Sequence, residues 1–332
     1  MNPSLDTTTV RAFRILQDDQ QQVRGRICSL TVAELSAGDV LVRTAFAGIN
    51  YKDALAATTA GKVIRQFPRI GGLDFSGVVL ASGDPRFKPG DAVLAHSRGL
   101  GVEHDGGFST HVRLPGDWVR PLPAGLSLQD AAAIGVAGYS AALCIELMER
   151  QGLRPGNGPV AISGASGAVA SHAIDMLARL GHEVHAISRK ATARERLLAL
   201  GAQQVHGEVP DGGKPLDKAL WAGAIDSVGG PVLDALLRTT RPKGVVAAIG
   251  NAGGNALATN VLPFILRSVS LLGVSLMTHI DLQPHLWQRL AGDLKPSGVL
   301  SQTRSIALDD LPGHLEKVLA GQVDGRVIVA LD

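Results

Sequence analysis

The run Pro159-Val160-Ala161-Ile162-Ser163-Gly164-Ala165-Ser166-Gly167 constrains this chain more than any other stretch. A short apolar segment of strand length ends in two glycines three apart. A helical pattern follows at once, with Ala170, Ala173, Ile174, Leu177 and Leu180 on one face and Gly181 as its stop. Strand, glycine turn and helix in that order make one crossover unit of a parallel sheet. The first glycine permits the tight turn, the second lets backbone N–H groups approach a diphosphate, and a small residue at 170 lets helix pack on strand. Ser163, Gly164, Ala165, Ser166, Gly167, Ala168 and Val169 are therefore candidate cofactor-binding residues at a helix N-terminus. A plain structural turn is the alternative reading of the same spacing.

The texture around this turn divides the chain. Up to residue 123 the sequence reads as short strands broken by glycine and proline, as at residues 39–43, 75–80 and 91–95, with a Lys88-Pro89-Gly90-Asp91 turn feeding the last of these. From residue 124 strands alternate with helices: strands are expected at 159–163, 183–188, 224–228 and 245–249, with 269–274 as the sixth strand of the sheet. The end of the chain returns to strand texture at 326–329. The expected fold is α/β, with a β-rich domain at 1–123, a doubly wound parallel sheet at 124–275, and residues 276–332 returning to complete the first domain. A length of 332 residues suits two domains.

Composition narrows the function classes. With 32 Lys+Arg against 30 Asp+Glu and no basic run, charge gives no argument for nucleic acid. Cys28 and Cys144, the only two cysteines, supply neither a disulfide framework nor a cysteine-based zinc site. The first six residues lack the basic and apolar regions of a secretory signal, so a cytoplasmic protein is expected. Residues 131–147, the most apolar stretch, fall short of the roughly 20 residues that cross a bilayer, and no membrane span is expected.

Cofactor choice is read at the end of the second strand of the sheet. An Asp or Glu there would favour NAD, whereas Ser188, Arg189 and Lys190 offer a hydroxyl and two cations to a 2′-phosphate. NADPH is therefore expected, a solvated basic loop being the alternative. Gly250, Asn251 and Ala252 follow the fifth strand, at the carboxyl edge where dinucleotides lie.

Several ordered motifs carry a family resemblance. They are Gly48-Ile49-Asn50-Tyr51-Lys52-Asp53, Gly71-Gly72-Leu73-Asp74-Phe75-Ser76-Gly77, Lys88-Pro89-Gly90-Asp91, the 163–167 turn and Leu200-Gly201-Ala202. Together these resemble the zinc-free quinone oxidoreductase branch of the medium-chain dehydrogenase/reductase superfamily. Ala137-Gly138-Tyr139-Ser140-Ala141, residues 221–230 and Leu262-Pro263-Phe264-Ile265-Leu266-Arg267 are similar to its acrylyl-CoA reductase and quinone oxidoreductase group. The resemblance spans residues 12–330. It implies a GroES-like catalytic domain, a Rossmann domain, NADPH and a homodimer formed through the Rossmann sheets.

The same resemblance implies roles for particular residues. Ser140 stands at the nicotinamide end. Asn50-Tyr51 and Gly72-Leu73-Asp74 occupy the places where zinc-dependent relatives have cysteine and Gly-His-Glu, so no metal is expected. Without a Lewis acid, the chemistry suited to the site is hydride transfer to an already activated enoyl thioester, such as acrylyl-CoA, or to a quinone, with donors at the carbonyl oxygen. Asn50 and Tyr51 are the candidate donors, Tyr51 as proton donor or as a packed aromatic. Asp53 joins the catalytic set or simply holds the loop. Lys62, Arg65 and Arg69 would meet coenzyme A phosphates or stay solvated, and Phe264 would contact substrate or pack. His96, His104 and His111 read as packing or surface residues rather than acids. An NADPH-binding sensor without turnover is the alternative of another class.

Overall fold

The computed structural model describes residues 6–331; residues 1–5, most of the start read above as no secretory signal, lie outside the described residues, as does residue 332. In chain order the first elements are β1 (Thr9–Gln17), β2 (Val23–Thr31), β3 (Val40–Gly48), α1 (Tyr51–Ala56), β4 (Arg69–Ile70), β5 (Asp74–Ser82), β6 (Ala92–His96), β7 (His111–Leu114) and β8 (Arg120–Pro121). The middle of the chain forms α2 (Leu128–Arg150), β9 (Val160–Ser163), α3 (Ala168–Arg179), β10 (Val184–Ile187), α4 (Arg194–Ala199), β11 (Gln204–His206), β12 (Trp221–Asp226), α5 (Gly230–Thr239), β13 (Thr240–Ala248), α6 (Leu262–Arg267), β14 (Ser270–Gly273), α7 (Gln283–Ala291) and α8 (Ser297–Gln302). The chain closes with β15 (Arg304–Ala307), α9 (Leu311–Leu319) and β16 (Val327–Ala330).

Two compact units result: residues up to Val136 joined by those from Thr303 onward, and Ala137–Gln302. In the first, β3, β5, β6 and β8 pair in succession and β7 adds to β3. The C-terminal return completes this sheet, because β16 runs antiparallel to β3 with Ile328 opposite Gly48, and β15 adds beyond it. A three-stranded sheet, β2-β1-β4, accompanies it. Alternating side chains of β1, β3 and β5 meet in one core; Phe13, Val40, Val42, Phe75, Val79 and Phe108 are buried there, with Phe13 and Phe108 edge to face at 6.4 Å.

The second unit is a parallel sheet in the order β11-β10-β9-β12-β13-β14. That is the 3-2-1-4-5-6 order of a doubly wound dinucleotide fold. All four residues of β9 and of β10 are buried, as central strands covered on both faces require.

Both boundaries lie later in the chain than 123 and 275. The first turns of α2 belong to the first unit because their backbone is bonded there: the Ala132 and Ala133 carbonyls accept from Arg326, and the Val136 N–H donates to Asp74. At Gly135 the helix breaks, with φ 44° and ψ −151°. A Cβ there would lie 2.6 Å from both Arg326 Nη2 and Asp74 Oδ2, so only glycine fits. Residues 276–302 stay in the second unit rather than returning to the first. Leu286, Trp287 and Leu290 of α7 are buried, Arg289 pairs with Glu146 and Glu149 of α2, and the Val299 N–H donates to Asp175 of α3. Strand texture at the very end of the chain could not reveal these helix contacts.

Helix α2 is long and apolar enough to cross a bilayer by length and composition, and 89% of its apolar window is buried inside the fold.

Candidate active site

In the second unit four strand ends converge on one edge of the sheet. After β9 the chain turns at Gly164, whose φ of 60° suits glycine and whose Cβ would lie 2.5 Å from Ser227 Oγ. The turn is stitched at its base. Ser163 Oγ donates to Asp226 and accepts from the Ser227 N–H at 3.1 Å, and Ser227 Oγ donates to the Ser163 carbonyl at 3.0 Å. Asp226, fully buried at the end of β12, also accepts from the Val228 and Gly229 N–H groups at 3.2 and 2.7 Å. Asp226 was passed over in the sequence, although an acidic residue closing an apolar strand before Ser-Val-Gly-Gly is the signal of such a knot.

Beyond the turn, Ala165 is fully buried and its N–H donates to the Ile187 carbonyl at 3.0 Å, joining turn to β10. Arg196 of α4 holds the other side through the Ser166 carbonyl and Ser171 Oγ, both at 3.1 Å. Gly167 caps α3 without a side-chain bond, so the first-turn N–H groups at Ala168 and Val169 are open to an anion while buried Ala170 packs the helix down. Gly250, Asn251 and Ala252 run beside the 227–229 segment, where the Gly253 N–H donates to the Val228 carbonyl at 2.7 Å. Ser140 is buried in α2.

The loop after β10 carries the residues that the sequence offers to a 2′-phosphate. Ser188 is buried and fixed by its N–H to the His206 carbonyl at 2.9 Å, and its Oγ accepts from the Lys190 N–H at 3.2 Å. Arg189 is exposed beside it, with no hydrogen bond or ion pair among the described residues. Behind this loop His185 and His206 pack edge-on against Trp221 with centroids 5.4 and 5.9 Å away.

In the first unit the motif at 48–53 is a charge cluster rather than a set of free donors. Asn50 precedes α1; its Nδ2 donates to Asp53 Oδ2 and to Asp74 Oδ2, both at 3.0 Å, and its Oδ1 accepts from Arg326 Nη1 at 3.2 Å. The amide expected to donate to the substrate carbonyl is thus engaged inside the protein. The reason is two buried carboxylates and a guanidinium that all need partners. Asp53 takes two further N–H groups, from Asn50 and Leu73, at 2.8 and 3.0 Å. Burial first, and the Asp74 charge second, push it up to about 7. Arg326 is buried as well, and burial lowers its own pKa against the pull of both aspartates. Sequence reading did not find Arg326, which lies 276 positions from Asn50.

Tyr51 stands apart from this cluster. It opens α1 with 47% of its surface exposed, so its hydroxyl is available while the backbone beneath it is locked by Asn50 and Asp53.

The remaining candidates separate. Lys62 and Arg65 are exposed, whereas Arg69 is held by Asp105 at 3.6 Å and by Ser36 Oγ at 3.1 Å, a structural cation in place of a substrate contact. Phe264 packs half-buried against the core of the second unit. Burial pushes His96 down to about 4, and burial and Arg43 lower His111, so both stay neutral. His104 sits edge-on to Trp118 at 5.1 Å.

A glycine turn at the head of a 3-2-1-4-5-6 sheet, beside a fixed hydroxyl and a free guanidinium, defines a dinucleotide-dependent oxidoreductase. Two family models match the chain: the alcohol dehydrogenase GroES-like domain at residues 36–124 and the zinc-binding dehydrogenase at residues 168–292. The acrylyl-CoA reductase AcuI of Ruegeria pomeroyi is 39% identical, covering 96% of this chain and 98% of that one. The Bacillus subtilis protein named "Putative quinone oxidoreductase YhfP" is 41% identical, covering 96% and 99%. The yhdH oxidoreductase of Salmonella enterica, solved in complex with NADP, superposes with a TM-score of 0.93 at 43% identity over 97% of this chain and 100% of that one. The chain belongs to the medium-chain dehydrogenase/reductase superfamily, in its quinone oxidoreductase and acrylyl-CoA reductase group. The second family model is described by zinc, and the side chains present do not fit that metal: among the described residues no three His, Cys, Asp or Glu groups come together as its ligands would.

Proposed function

We propose that this protein is a zinc-independent, NADPH-dependent reductase of activated carbon–carbon double bonds, with an enoyl thioester such as acrylyl-CoA as its substrate. The observation that carries the cofactor is the unpaired Arg189 beside the fixed Ser188, where an NAD site would place a carboxylate. The residues at 163–169 fit a diphosphate, since helix N–H groups and small side chains leave a cradle for it. The identities near 40% to relatives named for acrylyl-CoA and quinone reduction support the reaction class.

NADPH, when bound, supplies the hydride for the β-carbon of the conjugated carbonyl. The chain's own residues must then meet the charge that grows on the carbonyl oxygen and deliver a proton to the α-carbon. In this reading Tyr51 is the donor, because its hydroxyl is exposed on a rigid helix start. Asn50 and Asp53 act through it as positioning residues, fixing the first turn of α1. Charge held within the Asn50, Asp53, Asp74 and Arg326 cluster keeps that turn from shifting as substrate charge develops.

We also place the chain in the cytoplasm as a homodimer. Two free thiols suit a reducing compartment. Among the described residues edge strand β14 has no partner on its outer side, and Val261, Ile265 and Leu266 near it are 63–67% exposed, a face suited to a second copy.

The test is NADPH oxidation with acrylyl-CoA and, in parallel, with a simple benzoquinone, using NADH as the control. Turnover of the thioester is expected. Turnover of the quinone alone would favour the quinone oxidoreductase reading, and NADPH binding with neither reaction would leave a cofactor-binding sensor.

A further inference from the structure

Outside the cluster at Asn50, the first unit holds a depression of about 600 Å³ between the turn of the β1–β2 hairpin and residues 56–67. That is the size of a small-ligand site. Its two walls are tied together at the base, where the Val23 N–H donates to Thr59 Oγ1 at 2.9 Å and Thr59 Oγ1 donates to Gln22 Oε1 at 3.3 Å. Each wall carries a non-glycine residue in the left-handed region, Gln21 with φ 59° on the hairpin and Lys62 with φ 49° opposite. Such backbone costs of order 1–3 kcal/mol and collects at ligand clamps.

The lining is chemically specific. Lys62 and Arg65 both line it, both are exposed, and neither has a hydrogen bond or ion pair among the described residues. Among the described residues no carboxylate lines it; Asp18, in the hairpin turn, is engaged by the Gln20 and Gln22 N–H groups. Half-buried Val63 and Phe67 add an apolar floor, and Gln20 supplies an amide at the rim. Two unpaired cations, a flat apolar surface and amides suit a phosphorylated purine nucleoside.

We propose that this depression binds the 3′-phosphoadenosine diphosphate end of a coenzyme A thioester, Lys62 and Arg65 meeting the phosphates and Val63 and Phe67 the adenine. The proposal rests on the enoyl-thioester reading above. Its geometry follows from α1: Tyr51 opens this helix and Ala56, its last residue, lines the depression. Five steps of 1.5 Å each separate the two by about 7.5 Å along the helix. A pantetheine arm is long and flexible enough to join them.

The experiment compares acrylyl-CoA with acrylyl-pantetheine, which lacks the nucleotide, in the wild type and in the Lys62→Gln/Arg65→Gln double variant. The ratio of kcat/KM for the full thioester over the truncated one is expected to fall at least tenfold in the variant, through KM. An unchanged ratio overturns the proposal. A second arm reads binding without turnover, by calorimetry with adenosine 3′,5′-bisphosphate and, as control, adenosine 2′,5′-bisphosphate. The 3′,5′ compound is expected to bind the wild type and to lose at least tenfold in affinity in the variant, while the 2′,5′ compound, addressed to Arg189, is unaffected. No binding to the wild type, or equal binding to both proteins, overturns the proposal. Selective binding in a protein that fails to reduce acrylyl-CoA would sink the reductase reading and leave this site standing.

Discussion

Arg326 and Asp74 lie 3.9 Å apart with 0% and 2% of their side chains exposed, yet they share no direct hydrogen bond. The guanidinium donates instead to the carbonyls of Ile49, Ala132 and Ala133 at 2.6–2.8 Å, while Asp74 accepts from the N–H groups of Gly48 and Val136 at 2.7 and 2.8 Å. Asn50 bridges the two charges with its amide. The arrangement satisfies both ions and fixes the start of α1 from behind. Arg326→Lys keeps the charge and loses the planar fork, so several of these carbonyls are left without a donor. A loss of about 3 kcal/mol or more in urea unfolding is expected, of the size seen when a buried ion loses its partners. A change below 1 kcal/mol would show that the cluster is dispensable.

Asp53 links stability to pH. Its ordinary value of 3.8 is raised to about 7 by burial and by Asp74. The folded chain therefore keeps this proton to higher pH than the unfolded chain. Its contribution is full below about pH 4, declines as pH rises toward 7, and is constant above, with a total change of up to about 4 kcal/mol. Urea melts between pH 4 and 8 should show this decline in the wild type and lack it in Asp53→Asn, whose side chain cannot ionise. Equal slopes in the two proteins would mean that Asp53 is ionised throughout.

Arg189→Ala should weaken NADPH binding by tenfold or more and leave NADH within about threefold, since a charge-assisted bond to the 2′-phosphate is worth roughly 1.5–3 kcal/mol. Fluorescence titration with each cofactor measures it. Equal losses for both would place the guanidinium elsewhere.

Tyr51→Phe should lower kcat by 10²–10⁴-fold, the usual range for a general acid, with the Kd for NADPH unchanged. The side chain is half exposed, so folding should be little affected. Unaltered turnover would return Tyr51 to surface packing.

Ile265→Asp puts a charge on the exposed apolar face near β14, where Ile265 is 67% exposed. With the homodimer proposed above, sedimentation should report a dimer for the wild type and a monomer for this variant. A variant that remains dimeric would place the interface on another face.

Local chemistry was legible in the chain. The glycine turn, five of the six strands of the parallel sheet (all but β11) and the return of the last strand to the first unit follow from apolar periodicity and from backbone positions that only small residues can hold. So does the basic character of the loop after β10, because Ser188, Arg189 and Lys190 are neighbours in sequence. Arg69 and Phe264 illustrate where this ends: a cation beside a proline and an aromatic in a motif have the same letters whether they face a ligand, an aspartate or the core.

What the sequence alone determined is therefore the type of fold and the kind of cofactor, since both depend on contacts between near neighbours. Only the tertiary structure decided the use of Asn50, the raised proton on Asp53 and the role of Arg326. Each depends on low-dielectric burial and on groups brought together from residues 48–53, 74, 132–136 and 326, and no local pattern records which distant charges will share one buried site.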